Sequence, residues 1–333
     1  MSRNEPILKL ENVKTSFVTE KNLIGKPTKI VRAVNGVSFT LNKGDMLGIV
    51  GESGCGKSTL ARTVLRLVEP ESGKIIYNGT DILSLNKEQM RKQREKMQMV
   101  FQDPYASLNP RMTVREIIES SLRVYNIGNV AEREEKIKKI MELTELREEY
   151  LNRYPYEFSG GQRQRIVIAR ALVLHPEFIV FDEPVSALDV SVRAQVLNLL
   201  ADLKKELAFT SLFISHDLSV IKYICNKTAV MYLGHIVELA DKDELYANPR
   251  HPYTQALFSA IPIPKVGARK EHQVLEGEIP SPLNPPSGCP FHTRCPKATA
   301  LCRKEAPVLE NLGEGHSCAC HYVQGNSSQS YLI

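Results

Sequence analysis

A glycine-rich octapeptide carries the first recognisable chemistry in the chain. It reads GESGCGKS from Gly51 to Ser58, follows an apolar run and precedes a segment with helical spacing. Glycines let backbone N–H groups turn toward phosphate oxygens, and the following helix adds the positive end of its dipole. Lys57 is expected to reach the β- and γ-phosphates, and Ser58 to ligate Mg²⁺. The residues predicted to bind a nucleotide here are Gly51, Glu52, Ser53, Gly54, Cys55, Gly56, Lys57, Ser58 and Thr59.

A pair of acids ends a second apolar run. Asp182 and Glu183 follow the apolar residues 178–181, as expected at the carboxyl end of a central strand. We expect Asp182 to hold Mg²⁺ through water and Glu183 to polarise an attacking water, because phosphoryl transfer needs charge stabilisation and an oriented nucleophile. Alone, such a pair is more often a solvated strand end. Together with a phosphate-binding loop, it predicts nucleotide hydrolysis.

The elements that must position these groups alternate between strand and helix. This alternation predicts an α/β fold whose sheet is largely parallel and covered on both faces. Residues 7–50 contain β-like runs that a polar excursion from Thr19 to Lys29 separates. This pattern predicts an antiparallel β layer with one hairpin. The predicted core strands are 46–50, 178–181 and 211–214, and the predicted helices of this core are 162–174 and 192–207.

A helical insertion interrupts this pattern between residues 113 and 150. Ile137, Ile140 and Met141 form one apolar stripe at helical spacing. Charges on the same segment are spaced for ion pairs one helical turn apart. The predicted pairs are Glu132 with Lys136, Glu134 with Lys138, and Glu135 with Lys139.

Composition limits the classes of function. The 333 residues carry 43 Lys and Arg against 38 Asp and Glu, a mild and dispersed surplus that makes a weak case for nucleic acid. No run approaches the ~18 apolar residues of a membrane span, and the start lacks the apolar core of a signal peptide. We therefore expect a cytoplasmic protein that reaches a membrane only through a partner.

The segment that decides the family is FSGGQ, residues 158–162. It resembles the LSGGQ signature motif of ABC ATPases, with Phe in place of the leading Leu. Physically it is either a plain helix cap or a second anion site, since Ser159 is a good N-cap and glycines follow it. The resemblance implies an ABC-type P-loop ATPase with a RecA-like core, an antiparallel β layer and a helical signature subdomain.

Other segments resemble the remaining motifs of that family in the same order along the chain. Gln102 resembles the Q-loop glutamine that ligates Mg²⁺ and senses the membrane partner, and Asp189 ends a segment similar to the D-loop. His216 resembles the switch histidine at the γ-phosphate. Phe17 lies where the family stacks an aromatic ring on adenine, although a Phe at the end of a β run is commonly core. The resemblance thus implies catalytic roles for Glu183, His216 and Gln102.

The same resemblance implies partners. Two motor subunits, identical or related, form a head-to-tail dimer in which each ATP contacts the P-loop of one subunit and the signature of the other. Two transmembrane permease subunits and, indirectly, an extracytoplasmic peptide-binding protein complete the transporter at the cytoplasmic face of the membrane. The residues expected to contact the ATP held by the partner are Ser159, Gly160, Gly161 and Gln162.

The tail of the chain resembles that of oligopeptide and dipeptide importer ATPases. Matching segments are 251–257, 277–282 and 288–296. They imply a substrate class of dipeptides and oligopeptides, with nickel or glutathione as the alternative among relatives. A non-transport ABC ATPase acting on DNA or ribosomes is less favoured, because the chain has one cassette and no coiled-coil insertion. We predict an ATPase domain at 1–260, with a helical subdomain at about 104–172, and a small, irregular, Pro/Cys-rich extension at 261–333.

Five of the seven cysteines crowd into this extension. In a reducing cytosol, metal or cluster ligation is favoured over a disulfide. Four thiolates suit either tetrahedral Zn²⁺ or an iron–sulfur cluster, and the wide spacing together with the family resemblance favours 4Fe-4S. A group far from the phosphates is expected to fold the tail rather than act in redox chemistry. The predicted ligands are Cys289, Cys295, Cys302 and Cys320, with Cys318 unassigned.

Overall fold

Two β-sheets form the framework of the protein, which a computed structural model describes over residues 5–22, 27–260, 277–313 and 315–323. The strands are β1 (Pro6–Lys21), β2 (Pro27–Asn42), β3 (Met46–Val50), β4 (Ser72–Tyr77), β5 (Thr80–Asp81), β6 (Met97–Val100), β7 (Phe178–Asp182), β8 (Thr210–Ile214), β9 (Lys227–Tyr232), β10 (His235–Asp241), β11 (Glu310–Asn311) and β12 (Ser317–Cys318). One sheet has the order β2-β1-β4-β5 and is antiparallel. The other has the order β11-β12-β10-β9-β3-β8-β7-β6.

Eleven α-helices accompany these sheets in the described part of the chain. They are α1 (Lys57–Val64), α2 (Lys87–Lys96), α3 (Pro104–Ser107), α4 (Val114–Val124), α5 (Val130–Leu143), α6 (Gly160–Leu172), α7 (Val190–Leu207), α8 (Leu218–Ile224), α9 (Lys242–Ala247), α10 (Pro252–Ser259) and α11 (Ala300–Lys304). None of them is long and apolar enough to cross a membrane.

The centre of the large sheet is parallel and wholly buried. Strands β6, β7, β8, β3 and β9 run in the same direction, and every residue of β3, β7 and β8 is buried. Continuous apolar runs are what a strand covered on both faces requires. The predicted α/β fold with a parallel core and an antiparallel β layer is confirmed. The hairpin extends further than predicted, because β1 continues to Lys21 and β2 resumes at Pro27.

The helical insertion has the predicted apolar stripe but not the predicted ion pairs. Ile137, Ile140 and Met141 on α5 are buried. Glu134 instead pairs with Arg115 of α4, and Lys138 pairs with Glu148 at 2.5 Å. Exposed i,i+4 pairs contribute only a few tenths of a kcal/mol, so neighbouring elements readily take their charges.

The cysteine-rich extension is joined to the core sheet more closely than an irregular appendage would be. Strand β12 pairs antiparallel with β10, and β11 pairs with β12, so the extension supplies the edge of the large sheet. The proposed boundary at residue 260 adjoins residues 261–276, which lie outside the described part of the chain. The division into domains stays a prediction.

Candidate active site

The phosphate-binding loop joins β3 to α1 in a shape that only glycine tolerates at two positions. Gly51 has φ of 152° and Gly56 has φ of 107°. A Cβ on Gly51 would lie 2.2 Å from the carbonyl oxygen of Met231, and one on Gly56 would lie 1.9 Å from that of Ala33. Both contacts are with backbone, which cannot move aside. The glycines therefore let the loop lie directly against β2 and β9.

Lys57 is held inside this loop by the loop's own carbonyl groups. Its Nζ donates to the carbonyl oxygens of Gly51 at 2.8 Å and Glu52 at 3.0 Å, and the residue is 6% exposed. The ammonium group thus lies at the N-terminus of α1, where an anion would also gain from the helix dipole. This arrangement is a preformed cradle for phosphate.

Ser58 and Asp182 meet at the base of the cradle. The Ser58 hydroxyl donates to Asp182 Oδ1 across 2.9 Å. Burial raises the pKa of Asp182, and the hydrogen bond from Ser58 opposes that rise. A hydroxyl and a carboxylate side by side are the hard oxygen donors that Mg²⁺ prefers, so this pair fits the predicted ion.

The Glu183 carboxylate contacts two side chains, which follow the neighbouring strands β6 and β8. Gln102 Nε2 donates to Glu183 Oε2 at 3.0 Å, and His216 Nδ1 lies 3.3 Å from the same oxygen. Glu183 has φ of 47°, the left-handed region that non-glycine residues seldom adopt. Its backbone N–H donates to the carbonyl of Ile214 at 3.0 Å, which holds the residue in this conformation. Strained backbone of this kind occurs at functional sites.

These groups surround one open cavity of about 500 Å³. Phe17 borders it and is 40% exposed, so it is not a core residue. The structure brings together most of the predicted nucleotide residues with some that sequence reasoning missed. The predicted residues on the cavity wall are Phe17, Ser53, Gly54, Cys55, Gly56, Lys57, Ser58, Thr59, Gln102, Glu183 and His216; the additional ones are Val31, Arg32, Ala33, Leu233, Gly234 and Pro282.

The FSGGQ segment lies outside this cavity. Ser159 is exposed and caps α6 through a reciprocal pair of hydrogen bonds with Gln162. Gly161 packs so closely on the next segment that a Cβ would lie 2.3 Å from Val192 Cγ1. Asp189 in turn caps α7 by accepting from the Val192 N–H at 2.9 Å. The exposed start of α6 is thus separate from the cavity of its own chain.

The four predicted cysteine ligands lie in one part of the extension. Cys289 N–H donates to the Cys302 carbonyl at 2.8 Å, and the thiols of Cys302, Cys320 and Cys295 each act electrostatically on Cys289. Burial raises the pKa of Cys289 to about 11, opposed by a backbone hydrogen bond from Phe291. Cys295 and Cys320 have similar backbone hydrogen bonds, from Lys297 and from Val323 and Tyr322. In the described ranges, no three His, Cys, Asp or Glu side chains are placed to hold a single metal ion.

The cysteine segment is not far from the phosphates, and that expectation was wrong. Arg294, adjacent to Cys295, forms a bidentate ion pair with Glu52 of the phosphate-binding loop. Pro282 of the same extension lines the cavity. The pairing of β12 with β10 brings the tail back to the core sheet.

Comparison with known proteins agrees with this geometry. The family model described as "ABC transporter" matches residues 34–186, and "Oligopeptide/dipeptide transporter, C-terminal region" matches residues 237–302. The solved dimer of the ATP-binding cassette MJ0796 bound to ADP and Pi superposes with a TM-score of 0.63, at 28% identity over 71% of this chain and 98% of that one. The fold and the site together define an ABC-type ATPase cassette.

Relatives that match most of this chain indicate which family of ABC ATPases it belongs to. The oligopeptide transport ATP-binding protein AppF of Bacillus subtilis is 52% identical over 96% of this chain and 98% of its own length. A putative peptide import ATP-binding protein of Brucella ovis is 55% identical over 87% of this chain and 92% of its own. The chain belongs to the ATP-binding subunits of the oligopeptide/dipeptide ABC transporter family.

Proposed function

We propose that this ATPase drives the import of dipeptides and oligopeptides across the cytoplasmic membrane, as a peripheral subunit on its cytoplasmic face. The observation that carries the proposal is that Lys57, Glu183, Gln102 and His216 line one cavity in a chain whose C-terminal region belongs to the peptide transporter family. Nickel or glutathione is the alternative solute class among transporters with this type of motor.

Each group around the cavity has a proposed task. Lys57 and the loop amides bind the β- and γ-phosphates, and Phe17 stacks on the adenine ring. Ser58, Asp182 and Gln102 hold Mg²⁺, which supplies positive charge against the phosphate oxygens. Because Gln102 and His216 both contact the carboxylate of Glu183, they orient it. Glu183 is then positioned to take a proton from the attacking water.

The separate position of FSGGQ supports a proposed head-to-tail dimer. Ser159, the exposed N-cap of α6, and the half-buried Gly160 lie outside the chain's own cavity. Backbone N–H groups at such a terminus attract phosphate. The ATP they contact is therefore the one held by a second subunit, with Asp189 at the joint between the two sites. The second subunit is either a copy of this chain or a related one.

An exposed aromatic surface that includes Tyr105, three residues after Gln102 in the chain, supports docking to permease subunits. Tyr105 and Tyr156 are 64% and 66% exposed, and Tyr156 stacks on Tyr154 with ring centroids 5.6 Å apart. Arg163 links them, because its guanidinium lies over the Tyr105 ring at 4.0 Å and donates to the Tyr156 carbonyl at 3.2 Å. Aromatic residues and Arg are enriched in protein interfaces. A partner here would bind close in the chain to Gln102, which hydrogen-bonds Glu183.

Purification with permease subunits that bind this protein, followed by reconstitution into vesicles, tests the function. We expect ATP hydrolysis to rise when a peptide-loaded binding protein is added, with uptake of labelled peptide into the vesicles. Nickel or glutathione in place of peptide should give neither response. Stimulation by DNA or ribosomes, with none by the membrane subunits, would contradict transport.

We also propose a 4Fe-4S cluster bound by Cys289, Cys295, Cys302 and Cys320. Four soft thiols with backbone N–H donors at three of them, Cys289, Cys295 and Cys320, match the hydrogen-bonded thiolates that hold such clusters. When bound, the cluster supplies covalent cross-links between segments; the cysteine side chains hold the short tail, which has little core of its own.

Anaerobic purification tests the cluster. A brown protein with iron and acid-labile sulfide in equal amounts is expected. Replacement of Cys302 by Ser should lower the iron content, whereas Cys318→Ser, on the neighbouring strand β12, should retain it. A colourless protein with stoichiometric zinc would instead establish the alternative metal.

A further inference from the structure

The cysteine-rich extension contacts the phosphate-binding loop through Arg294, a residue that belongs to none of the nucleotide motifs. Arg294 Nη1 donates to Glu52 Oε2 at 2.8 Å, and Nη2 donates to Oε1 at 3.1 Å. The side chains are 6% and 24% exposed respectively, so the pair is largely withdrawn from water. Bidentate, charge-assisted hydrogen bonds are both strong and directional. Arg294 therefore fixes the position and orientation of the Glu52 carboxylate.

A second contact holds the backbone of the same loop residue. The hydroxyl of Tyr253 accepts a hydrogen bond from the Glu52 N–H at 3.0 Å. Tyr253 is fully buried, with its ring centroid 4.7 Å from that of Tyr232 and 5.3 Å from that of Phe291. Phe291 lies three residues before Arg294, and its carbonyl oxygen accepts a hydrogen bond from the Arg294 N–H at 3.0 Å. One contact with Glu52 thus comes from the aromatic cluster itself, and the other from Arg294, which is joined to that cluster by the turn at Phe291.

Glu52 is directly connected to the group that binds phosphate. Its carbonyl accepts from Lys57 Nζ at 3.0 Å and from the Cys55 N–H at 3.3 Å. A shift of Glu52 would move the one carbonyl oxygen that accepts both of these hydrogen bonds, and so would change the shape of the loop. The extension also borders the cavity directly through Pro282. The tail is therefore placed to affect how the loop receives nucleotide.

We propose that Arg294 is a positioning residue of the ATP site. Acting through Glu52, it holds the phosphate-binding loop in the shape that receives the phosphates, so that nucleotide affinity depends on the C-terminal extension. The proposal does not depend on which metal group the cysteines hold. A purely structural role for Arg294 would have a different effect. Loss of the ion pair would then lower stability but leave the phosphate affinity of the folded protein unchanged.

The full-length chain with Arg294→Ala tests this by the binding of fluorescently labelled ADP, which needs no turnover. We expect its dissociation constant, and the KM for ATP, to rise about tenfold, because small misplacements of positioning groups have effects of this size or larger. The kcat should stay within about twofold, since the loop binds phosphate in ground state and transition state alike. Arg303→Ala, an exposed arginine of the same extension, is the matched control and should bind ADP normally.

Two further variants keep the proposal testable if Arg294→Ala does not fold. Arg294→Lys retains the positive charge but not the planar guanidinium that makes two parallel hydrogen bonds. Its ADP affinity should therefore fall between those of the wild type and of Arg294→Ala. The charge exchange Glu52→Arg with Arg294→Glu should bind ADP more tightly than either single replacement, because the two positions are coupled. Wild-type ADP affinity in a folded Arg294→Ala protein, or an exchange variant no better than its singles, would overturn the proposal.

Discussion

Gln102 Nε2 donates a hydrogen bond to Glu183 Oε2 across 3.0 Å, joining side chains that lie 81 residues apart in the chain. His216 approaches the same oxygen at 3.3 Å. The three residues follow the strands β6, β7 and β8, which are neighbours in the parallel sheet. Because parallel strands end at one edge, this topology delivers an acid and its two partners to a single point. The site is therefore built by strand order rather than by a local motif.

Replacement of Glu183 by Gln should abolish hydrolysis and retain ATP binding. The amide keeps the shape of the side chain but cannot take a proton, and loss of a general base lowers the rate by about 10²-fold or more. Phosphate release by the purified protein measures the rate, and equilibrium binding of labelled ATP measures affinity. We also expect ATP to stabilise a dimer of this variant, detectable by size-exclusion chromatography.

The control for that experiment is Glu206→Gln, which removes an exposed carboxylate at the end of α7, away from the cavity. It should hydrolyse ATP at the wild-type rate. Turnover by Glu183→Gln close to that of this control would exclude Glu183 as the base.

Phe17→Ala should weaken ATP binding by about tenfold, the effect of losing a base–aromatic stack. Phe17→Tyr should bind ATP as the wild type does, because the ring is retained. Since Phe17 is already 40% exposed, neither change should alter the free energy of unfolding by more than a few tenths of a kcal/mol. Titration with labelled ATP and urea unfolding separate the two effects, and equal affinities for the Ala and Tyr variants would exclude stacking.

Gly161→Ala should destabilise the protein by about 1 to 2 kcal/mol through overpacking. The new methyl would lie 2.3 Å from Val192 Cγ1, so the start of α6 must move away from α7. In a Val192→Ala background the clash is absent, and the same change should become stabilising because Ala favours the helix over Gly by about 1 kcal/mol. Urea unfolding of the four proteins measures this reversal of sign. Equal destabilisation in both backgrounds would show that the clash is not the cause.

Stability should be greatest near pH 6.5 because two buried histidines that contact Glu238 have shifted pKa values in opposite directions. Burial tends to lower the pKa of His316, but hydrogen bonds with Glu238 at 2.7 Å and Glu244 at 3.3 Å outweigh it and raise the pKa. Burial lowers the pKa of His251 to about 4. His316 thus contributes stability that is complete below about pH 6.5, its unfolded value, and is lost as the pH rises through its folded pKa.

His251 contributes with the opposite sign, since its neutral form is the one held in the folded protein. Its contribution is complete above about pH 6.5 and is lost as the pH falls toward 4. The free energy of unfolding by urea, measured from pH 4.5 to 9, should therefore decline on both sides. His316→Gln should remove the alkaline decline and keep the acid one, and an unchanged alkaline decline in this variant would contradict the assignment.

Much of the nucleotide site was predictable from sequence because its chemistry is encoded in short contiguous runs. The glycines at 51 and 56 are required by backbone contacts, and Lys57 and Ser58 follow them at fixed spacing on the first turn of a helix. The parallel core was equally predictable, because strands buried on both faces are written as unbroken apolar runs. Both the spacing of neighbouring residues and the burial of a strand can be read from the order of residues in the sequence.

The contacts between distant segments could not be predicted in this way. The ion pair of Arg294 with Glu52 joins residues 242 positions apart, and the place of Pro282 on the cavity wall depends on how the tail crosses the core. The pairing of Glu134 with Arg115 instead of a helical neighbour is another such case. A long flexible chain can bring many segments together, and which pair forms depends on strand order and packing across the whole fold.

The sequence by itself thus determined an ATPase cassette, because the phosphate-binding loop, the acid pair and the FSGGQ segment are each short contiguous motifs. Only the tertiary structure decided that the FSGGQ helix start is separate from the chain's own cavity, and that the cysteine-rich tail lies against the phosphate-binding loop. The physical reason is that motif chemistry depends on neighbours in the chain, whereas coupling between motifs depends on contacts that form only when the sheet is assembled.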